Sequence, residues 1–95
     1  MIPKSFQIMG FTIKIQITDD IDDHSDGRYV GAQEKIDIRP VSSKLTSDYQ
    51  EQIFWHEAVH CILQMQSYDK LDKDEAFVDR IAQCLWQIDK TRKPK

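Results

Sequence analysis

The sequence predicts an α+β fold in which a small antiparallel or mixed sheet precedes an antiparallel helical hairpin. Residues 11–18 alternate apolar and polar side chains, which is typical of a half-buried strand. Two further short segments with the composition of strands follow at 28–31 and 35–39. Residues 47–90 then repeat apolar side chains at helical spacing in two runs. Strands first and helices after them indicate helices packed on one face of a sheet.

The first forty residues contain the predicted strands. Residues 1–9 are mixed in character and are expected either to pair at the sheet edge or to lie over the core. Residues 19–27 are acidic and rich in turn formers, which predicts a loop. Only residues 32–34 separate the next two strands, so a hairpin is the economical connection. Pro40 has no N–H to donate and ends the second of these strands.

A helical hairpin is predicted after the connector at 41–46. Ser47 and Gln50 have the spacing of a capping box and mark the start of a helix that runs to about Gln66. Residues 67–72 form a short turn, so the second helix is expected to return antiparallel to the first. Asp72 is the predicted cap of this second helix, which covers residues 73–90.

The bulk properties predict a single domain, with the sheet in 1–40, the helical hairpin in 47–90 and a basic tail at 91–95. A net charge of −3 argues against a general attraction to nucleic acid or anionic membranes, and the tail is expected to be solvated. No apolar run has the length of a membrane span, and the N-terminus lacks the apolar segment of a signal peptide. Cys61 and Cys84 fall inside the predicted helices and are expected to be reduced and mostly buried, which favours a cytoplasmic location.

The first helix carries the motif H-E-x-x-H at residues 56–60. His56 and His60 are about one turn apart and project from nearly the same face, where two imidazoles can bind one Zn²⁺. Glu57 lies roughly 100° further round the helix and can deprotonate a water molecule at that metal. The alternative is a surface helix with two solvated histidines.

A catalytic zinc site normally has a third protein ligand, and the hairpin geometry narrows the choice. The start of the second helix should lie beside the later part of the first, which brings Glu75 near His60 and Asp79 near His56. Glu75 would be the third ligand, and Asp79 would accept a hydrogen bond from the non-coordinating nitrogen of His56. Two alternatives stay open. Glu75 could instead be the capping-box partner of Asp72, and Asp79 could be solvated.

The motif H-E-A-V-H at 56–60 followed by E-A-F-V-D at 75–79 resembles the H-E-x-x-H and E-x-x-x-D pattern of gluzincin metallopeptidases, the thermolysin-like zinc proteases. The resemblance implies that His56, His60 and Glu75 bind zinc, that Glu57 is the general base and that Asp79 supports a ligand. It also implies that extended substrate pairs with an edge strand. The chain is similar as well to very small zincins carried by phages and mobile elements.

Two departures from the large gluzincins bear on activity. Residues 61–74 give a spacing between His60 and Glu75 that is shorter than in those enzymes. Within these 95 residues we also expect no C-terminal subdomain that could supply the His or Tyr that stabilises the tetrahedral intermediate in those enzymes. His24, Arg28, Tyr29 and Tyr68 are candidates for that role, and their spacing does not choose among them.

The sequence therefore predicts a zinc-dependent metallopeptidase that acts on an extended peptide or protein substrate. The alternative is a zinc-binding interaction or regulatory module with little or no turnover. A third, more remote hypothesis is a metal-free nucleic-acid binder that uses the basic tail. Asp22, His24 and Asp26 faintly resemble a calcium loop, but the Glu of its twelfth position is missing and a strand follows.

Overall fold

Four strands form one mixed sheet in the computed structural model, which describes residues 2–94. They are β1 (Ser5–Ile8), β2 (Phe11–Ile17), β3 (Gly27–Val30) and β4 (Lys35–Ile38), in the order β1-β2-β4-β3. β1 pairs antiparallel with β2, β2 parallel with β4, and β3 antiparallel with β4. The predicted α+β class is confirmed, with a mixed sheet whose edges are β1 and β3. Met1 and Lys95, which belong to the predicted sheet region and basic tail, lie outside the described residues.

The N-terminal hairpin follows directly from the local sequence. Met9 and Gly10 both have positive φ, 49° and 84°, as a tight two-residue hairpin turn requires. β1 thus pairs at the sheet edge, the first of its two expected placements. The alternation of β2 directs Ile13 into the core, where it is fully buried, whereas Phe11 and Ile17 at the strand ends stay about half exposed.

The hairpin of β3 and β4 is confirmed, and its turn is a 3₁₀ helix at Gly31–Gln33 followed by Glu34 at φ 51°. β4 lies between β2 and β3 in the sheet. Ile36 and Ile38 are consequently fully buried. The chain reaches β3 from β2 through an acidic loop, residues 18–26, which leads to the outer edge of the sheet.

Helix α1 (Ser47–Met65) begins at a different cap from the predicted one. Thr46 is extended, and its hydroxyl accepts the backbone N–H of Tyr49 at 3.1 Å. Ser47 is therefore already helical, and the capping box of Ser47 and Gln50 is wrong. The Gln50 side chain instead donates to the carbonyl of Arg39 at 2.9 Å, which joins the start of α1 to the end of β4.

The second half of the helical hairpin consists of a single turn, α2 (Asp69–Asp72), and a long helix, α3 (Glu75–Thr91). Asp74 caps α3 by accepting the backbone N–H of Phe77 at 3.1 Å, so the predicted cap at Asp72 is wrong. The antiparallel arrangement is confirmed by the side-chain contacts along the pair. Glu75 lies beside the later part of α1, whereas Trp86 donates to Glu51 near its start.

Helix α1 is the central element of the core. One apolar cluster lies between α1 and the sheet, and a second lies between α1 and α3. α1 therefore has apolar side chains on two sides, while α3 buries only Val78 and Ala82. Cys61 is buried as expected, but Cys84 is exposed, because so little of α3 is covered. Within residues 2–94, none of the helices has the length and apolar composition to cross a bilayer.

Candidate metal centre

The side chains of His56 and His60 lie together on the stripe of α1 between its two apolar sides. Their ring centroids are 5.0 Å apart, as expected for residues separated by one helical turn. Both imidazoles are partly shielded, with 25% and 14% of the side chain exposed. The stripe faces the start of α3, so any partner from that helix must come from its first residues.

Glu75, the first residue of α3, lies between the two imidazoles. One of its carboxylate oxygens is 3.0 Å from Nε2 of His56, and the other is 3.3 Å from Nε2 of His60. Because α3 starts at Glu75 and is capped by Asp74, Glu75 cannot be the capping-box partner of Asp72. The alternative role that the sequence left open for this carboxylate is therefore excluded.

These three side chains fit a divalent metal ion. Each offers one ligand atom, and the three atoms lie within 4.8 Å of one another. Tetrahedral zinc with bonds of about 2.0–2.1 Å needs its ligand atoms about 3.3 Å apart. Each imidazole nitrogen has a different Glu75 oxygen at about that distance, 3.0 Å for His56 and 3.3 Å for His60, and the three chosen ligand atoms must draw together from within 4.8 Å to bind one ion. Two imidazole nitrogens and one carboxylate oxygen are also the donor set of catalytic zinc sites with an open fourth position.

A carboxylate lies behind each imidazole, on the side of its Nδ1 atom. Asp72 is 2.7 Å from Nδ1 of His60, a short charge-assisted hydrogen bond. Asp79 is 3.6 Å from Nδ1 of His56, which is longer than a hydrogen bond. The sequence argument placed Asp79 near His56 but assigned Asp72 to a helix cap, and so missed the stronger of these two contacts.

The surroundings of His60 favour its protonated form. Burial lowers the pKa of His60, but the hydrogen bond with Asp72 and the charges of Glu57, Glu75 and Asp72 outweigh it, so the pKa is raised. In the neutral ring, the bond to Asp72 keeps the proton on Nδ1. Nε2, which faces Glu75, then presents its lone pair in the direction that a metal ligand requires.

Glu57 lies against the start of β3. A Cβ atom at Gly27 would stand 2.5 Å from Ile53 and 3.3 Å from Glu57, so the strand approaches α1 more closely than a side chain permits. Burial raises the pKa of Glu57, and the negative charge of Glu75 raises it further. His56, His60 and the backbone N–H of Tyr29 act in the opposite direction. A carboxylate with a raised pKa accepts a proton more readily near neutral pH.

Two cavities flank Glu57 along β3. One measures about 640 Å³ and contains His60, Asp72 and Glu75 in its wall, and the other measures about 310 Å³ and contains Asp79. Gly27, His56 and Glu57 line both, so the cavities adjoin at the motif. Among the described strands β3 pairs only with β4, which leaves its outer backbone edge free of sheet hydrogen bonds.

The candidates for stabilising an oxyanion are placed differently from one another. The guanidinium of Arg28 bonds Asp37 at 2.9 Å. Burial and a hydrogen bond with the Cys61 thiol raise the pKa of Tyr29 to about 12, so its hydroxyl holds its proton tightly. His24 lines the smaller cavity together with His56 and Glu57. The fourth candidate, Tyr68, is 56% exposed and lines neither cavity.

Comparison of the chain with models of known protein families, with curated proteins and with solved structures gave no match. The functional proposal therefore depends on the geometry of these side chains.

Proposed function

We propose that the protein is a zinc-dependent metallopeptidase of minimal, gluzincin-like design. The observation that carries the proposal is the convergence of His56, His60 and Glu75, with their ligand atoms within 4.8 Å of one another, beside the partly buried Glu57. The three candidate metal ligands and the candidate proton acceptor Glu57 therefore lie next to the outer edge of β3. This combination supports peptide hydrolysis better than it supports metal storage or a structural site, which would use four protein ligands.

Each residue has a separate task in the proposed reaction. Zn²⁺, when bound, supplies a Lewis acid that polarises the scissile carbonyl and acidifies a water molecule. His56, His60 and Glu75 hold the ion, and Asp72 fixes the orientation of His60. Glu57 accepts the proton of the attacking water and returns it to the leaving amine.

The substrate in this proposal is an extended peptide segment. No described strand pairs with the outer edge of β3, so its backbone groups other than the Tyr29 N–H, which donates to Glu57, could bind such a segment as a further strand. Gly27 lines both cavities, so a peptide along β3 passes directly over Glu57. The cavities on either side of Glu57 then accommodate the side chains that flank the scissile bond.

The decisive experiment replaces Glu57 by Gln, which keeps the shape of the side chain and removes its ability to take a proton. We expect zinc-loaded wild type to cleave a mixed peptide library and Glu57→Gln to lose about 10² to 10⁴-fold of that rate. Zinc content should remain equal in both proteins. Glu34→Gln, in the exposed turn before β4, is the matched control and should retain full activity.

A second prediction tests the third ligand. Glu75→Ala removes the carboxylate that lies between the two imidazoles, so we expect zinc occupancy to fall sharply in the purified, dialysed protein. Asp69→Ala, an exposed acidic residue of α2, is the control and should keep full occupancy. Elemental analysis gives the metal per chain. Full stoichiometry in Glu75→Ala would assign the third ligand to another residue.

The alternative is a zinc-bound interaction module with little turnover. It is favoured by the engagement of the Arg28 guanidinium with Asp37 and by the 56% exposure of Tyr68 away from both cavities, which leave fewer donors for a reacting carbonyl. Both proposals predict zinc binding, so the metal does not separate them. Absence of cleavage by zinc-loaded wild type, with stoichiometric metal present, would favour the module.

A further inference from the structure

Two arginines hold the acidic loop between β2 and β3: Arg28 donates to the carbonyl of Asp20 at 3.0 Å, and the partly buried Arg39 makes most of the other contacts. The sequence of this loop places five aspartates at 19, 20, 22, 23 and 26, which would repel one another in an unanchored loop. Arg39, the first residue after β4, extends its guanidinium into this loop, and only 21% of that side chain is exposed. Charge alone therefore draws the loop toward Arg39.

The hydrogen bonds of Arg39 run to backbone carbonyls spread over the loop. Nε donates to the carbonyl of Ser25 at 3.0 Å, and Nη2 donates to those of Ile21 at 3.0 Å and Asp22 at 2.8 Å. Nη1 reaches the carbonyl of Asp19 at 3.4 Å. The planar fork of an arginine presents five N–H groups in fixed directions, so this set of bonds defines the path of the backbone.

Further contacts tie the same loop to the sheet. The backbone N–H of Arg39 donates to the carbonyl of Asp26 at 2.9 Å, and its Nε lies 3.7 Å from the Asp26 carboxylate. Ile21 is 7% exposed and anchors the loop by its apolar side chain. The carbonyl oxygens of this loop thus converge on the guanidinium of Arg39. In a segment whose sequence faintly resembles a calcium loop, the positive charge is therefore supplied by an arginine of the chain.

This loop forms one wall of the smaller cavity beside Glu57. His24, Ser25 and Asp26 line that cavity, opposite residues of α1 and α3. In the sequence His24 lies between Asp22 and Ser25, whose backbone carbonyls both accept hydrogen bonds from Arg39. Its own backbone N–H donates to the Asp22 carboxylate at 2.7 Å. The position of His24 in the wall therefore depends on Arg39.

We propose that Arg39 is a positioning residue for substrate binding: it holds the acidic loop so that His24 forms the wall of the cavity beside the scissile bond. The inference rests on the proposed peptidase function and adds a residue outside the helices to it. Arg39 acts through the loop and not on the metal. Its removal should raise KM for a peptide and leave kcat and zinc binding nearly unchanged, since His56, His60 and Glu57 are held by α1.

The experiment is a double-mutant cycle on a peptide that the wild type cleaves. We expect Arg39→Ala and His24→Ala each to raise KM roughly three- to tenfold, with kcat within about twofold of wild type. The KM of the double variant should be no higher than that of the single variant with the larger KM, because both changes remove the same contact. Arg92→Ala, an exposed arginine paired with Asp89, is the matched control and should have wild-type kinetics.

Each other outcome overturns the inference. A lower melting temperature of Arg39→Ala with unchanged KM would show a structural role alone, and additive effects in the double variant would show independent roles. If Arg39→Ala does not fold, Arg39→Lys serves instead, since it keeps the charge but loses the fork, and an unchanged KM there contradicts the proposal. Failure of the proposed function is recognised separately, because zinc-loaded wild type would then cleave no peptide.

Discussion

The carboxylate of Asp72 would support the proposed metal centre from outside its ligand set. It lies 2.7 Å from Nδ1 of His60, is only 18% exposed and belongs to α2, a one-turn helix between α1 and α3. A hydrogen bond on Nδ1 fixes both the tautomer and the ring orientation, so Nε2 remains directed at Glu75. In the proposed centre, the short helix α2 serves to place Asp72 beside His60.

Substitutions of Asp72 test this role. Asp72→Ala should weaken zinc affinity about 10- to 100-fold, the usual cost of removing a carboxylate behind a ligating histidine. The zinc affinity of Asp72→Asn should lie between those of the wild type and Asp72→Ala. Its amide oxygen can still accept a hydrogen bond from the Nδ1–H of His60, but a weaker one. Competition with a chromophoric chelator measures the affinity. Asp69→Ala controls for the loss of a negative charge from α2, and equal affinities in all four proteins would contradict the role of Asp72.

Among the site residues, those that lie on one helix were predicted from the sequence. The residue whose position depends on a tertiary contact, Asp72, was missed. His56, Glu57 and His60 share a helix, so their proximity follows from 3.6 residues per turn. Asp72 and Asp74 are both acceptable caps by composition, and a local rule cannot choose between them. The choice is made by His60, whose Nδ1 binds Asp72 and leaves Asp74 as the cap of α3.

Among the contacts between elements, the packing of β3 against α1 has the greatest influence on the two cavities beside Glu57. Gly27 permits the close approach, and the partly buried Tyr29 side chain packs against the core cluster that includes Cys61 of α1. The hairpin of β3 and β4 was predictable from its short connection. The position of β4 between β2 and β3 was not, because strand order depends on long-range burial of Ile36 and Ile38 and not on any local pattern.

Gly27→Ala tests the close approach. The added Cβ would stand 2.5 Å from Cγ2 of Ile53, so the strand must shift or the side chain must move, at a cost of about 1–3 kcal/mol. Denaturant unfolding measures the loss. Gly31→Ala, where a Cβ would meet atoms no nearer than 3.4 Å, is the control. Adding Ile53→Leu removes Cγ2 and should restore part of the stability, and no restoration would place the cost elsewhere.

The junction of Tyr29 and Cys61 predicts a particular alkaline behaviour. The pKa of Tyr29 is raised by burial and by the Cys61 hydrogen bond from 10.0 to about 12, so the folded state holds this proton more tightly than the unfolded state does. The stability that the protonated phenol contributes is complete below pH 10 and is lost as the pH rises from 10 toward 12.

Melting temperatures measured between pH 9 and pH 11.5 should therefore fall less steeply in Tyr29→Phe than in the wild type. Tyr68→Phe, which changes an exposed tyrosine, is the control and should follow the wild-type slope. Identical slopes in all three proteins would show that the Tyr29 hydroxyl is not held between β3 and α1.

In the whole molecule, the proposed metal would join segments that the core connects only partly. His56 and His60 belong to α1, which contributes residues to both apolar clusters. Glu75 is the first residue of α3, and α3 buries only Val78 and Ala82. An ion at this position fixes the start of α3 against α1, while Glu51 and Lys90 hold its far end. For a chain of 95 residues, with its small core, such a connection would be a large fraction of the free energy of unfolding.

Zinc should therefore stabilise the folded protein by mass action. Free metal at a hundred times its dissociation constant adds about 2.7 kcal/mol, which for a domain of this size raises the melting temperature by roughly 10 °C or more. A chelator should reverse the rise. Glu57→Gln should keep the full increment because Glu57 is not a ligand, whereas Glu75→Ala should lose most of it. An increment that survives in Glu75→Ala would mean that the ion stabilises the fold without joining α1 to α3, and the proposed metal centre would then be wrong even if the protein bound zinc.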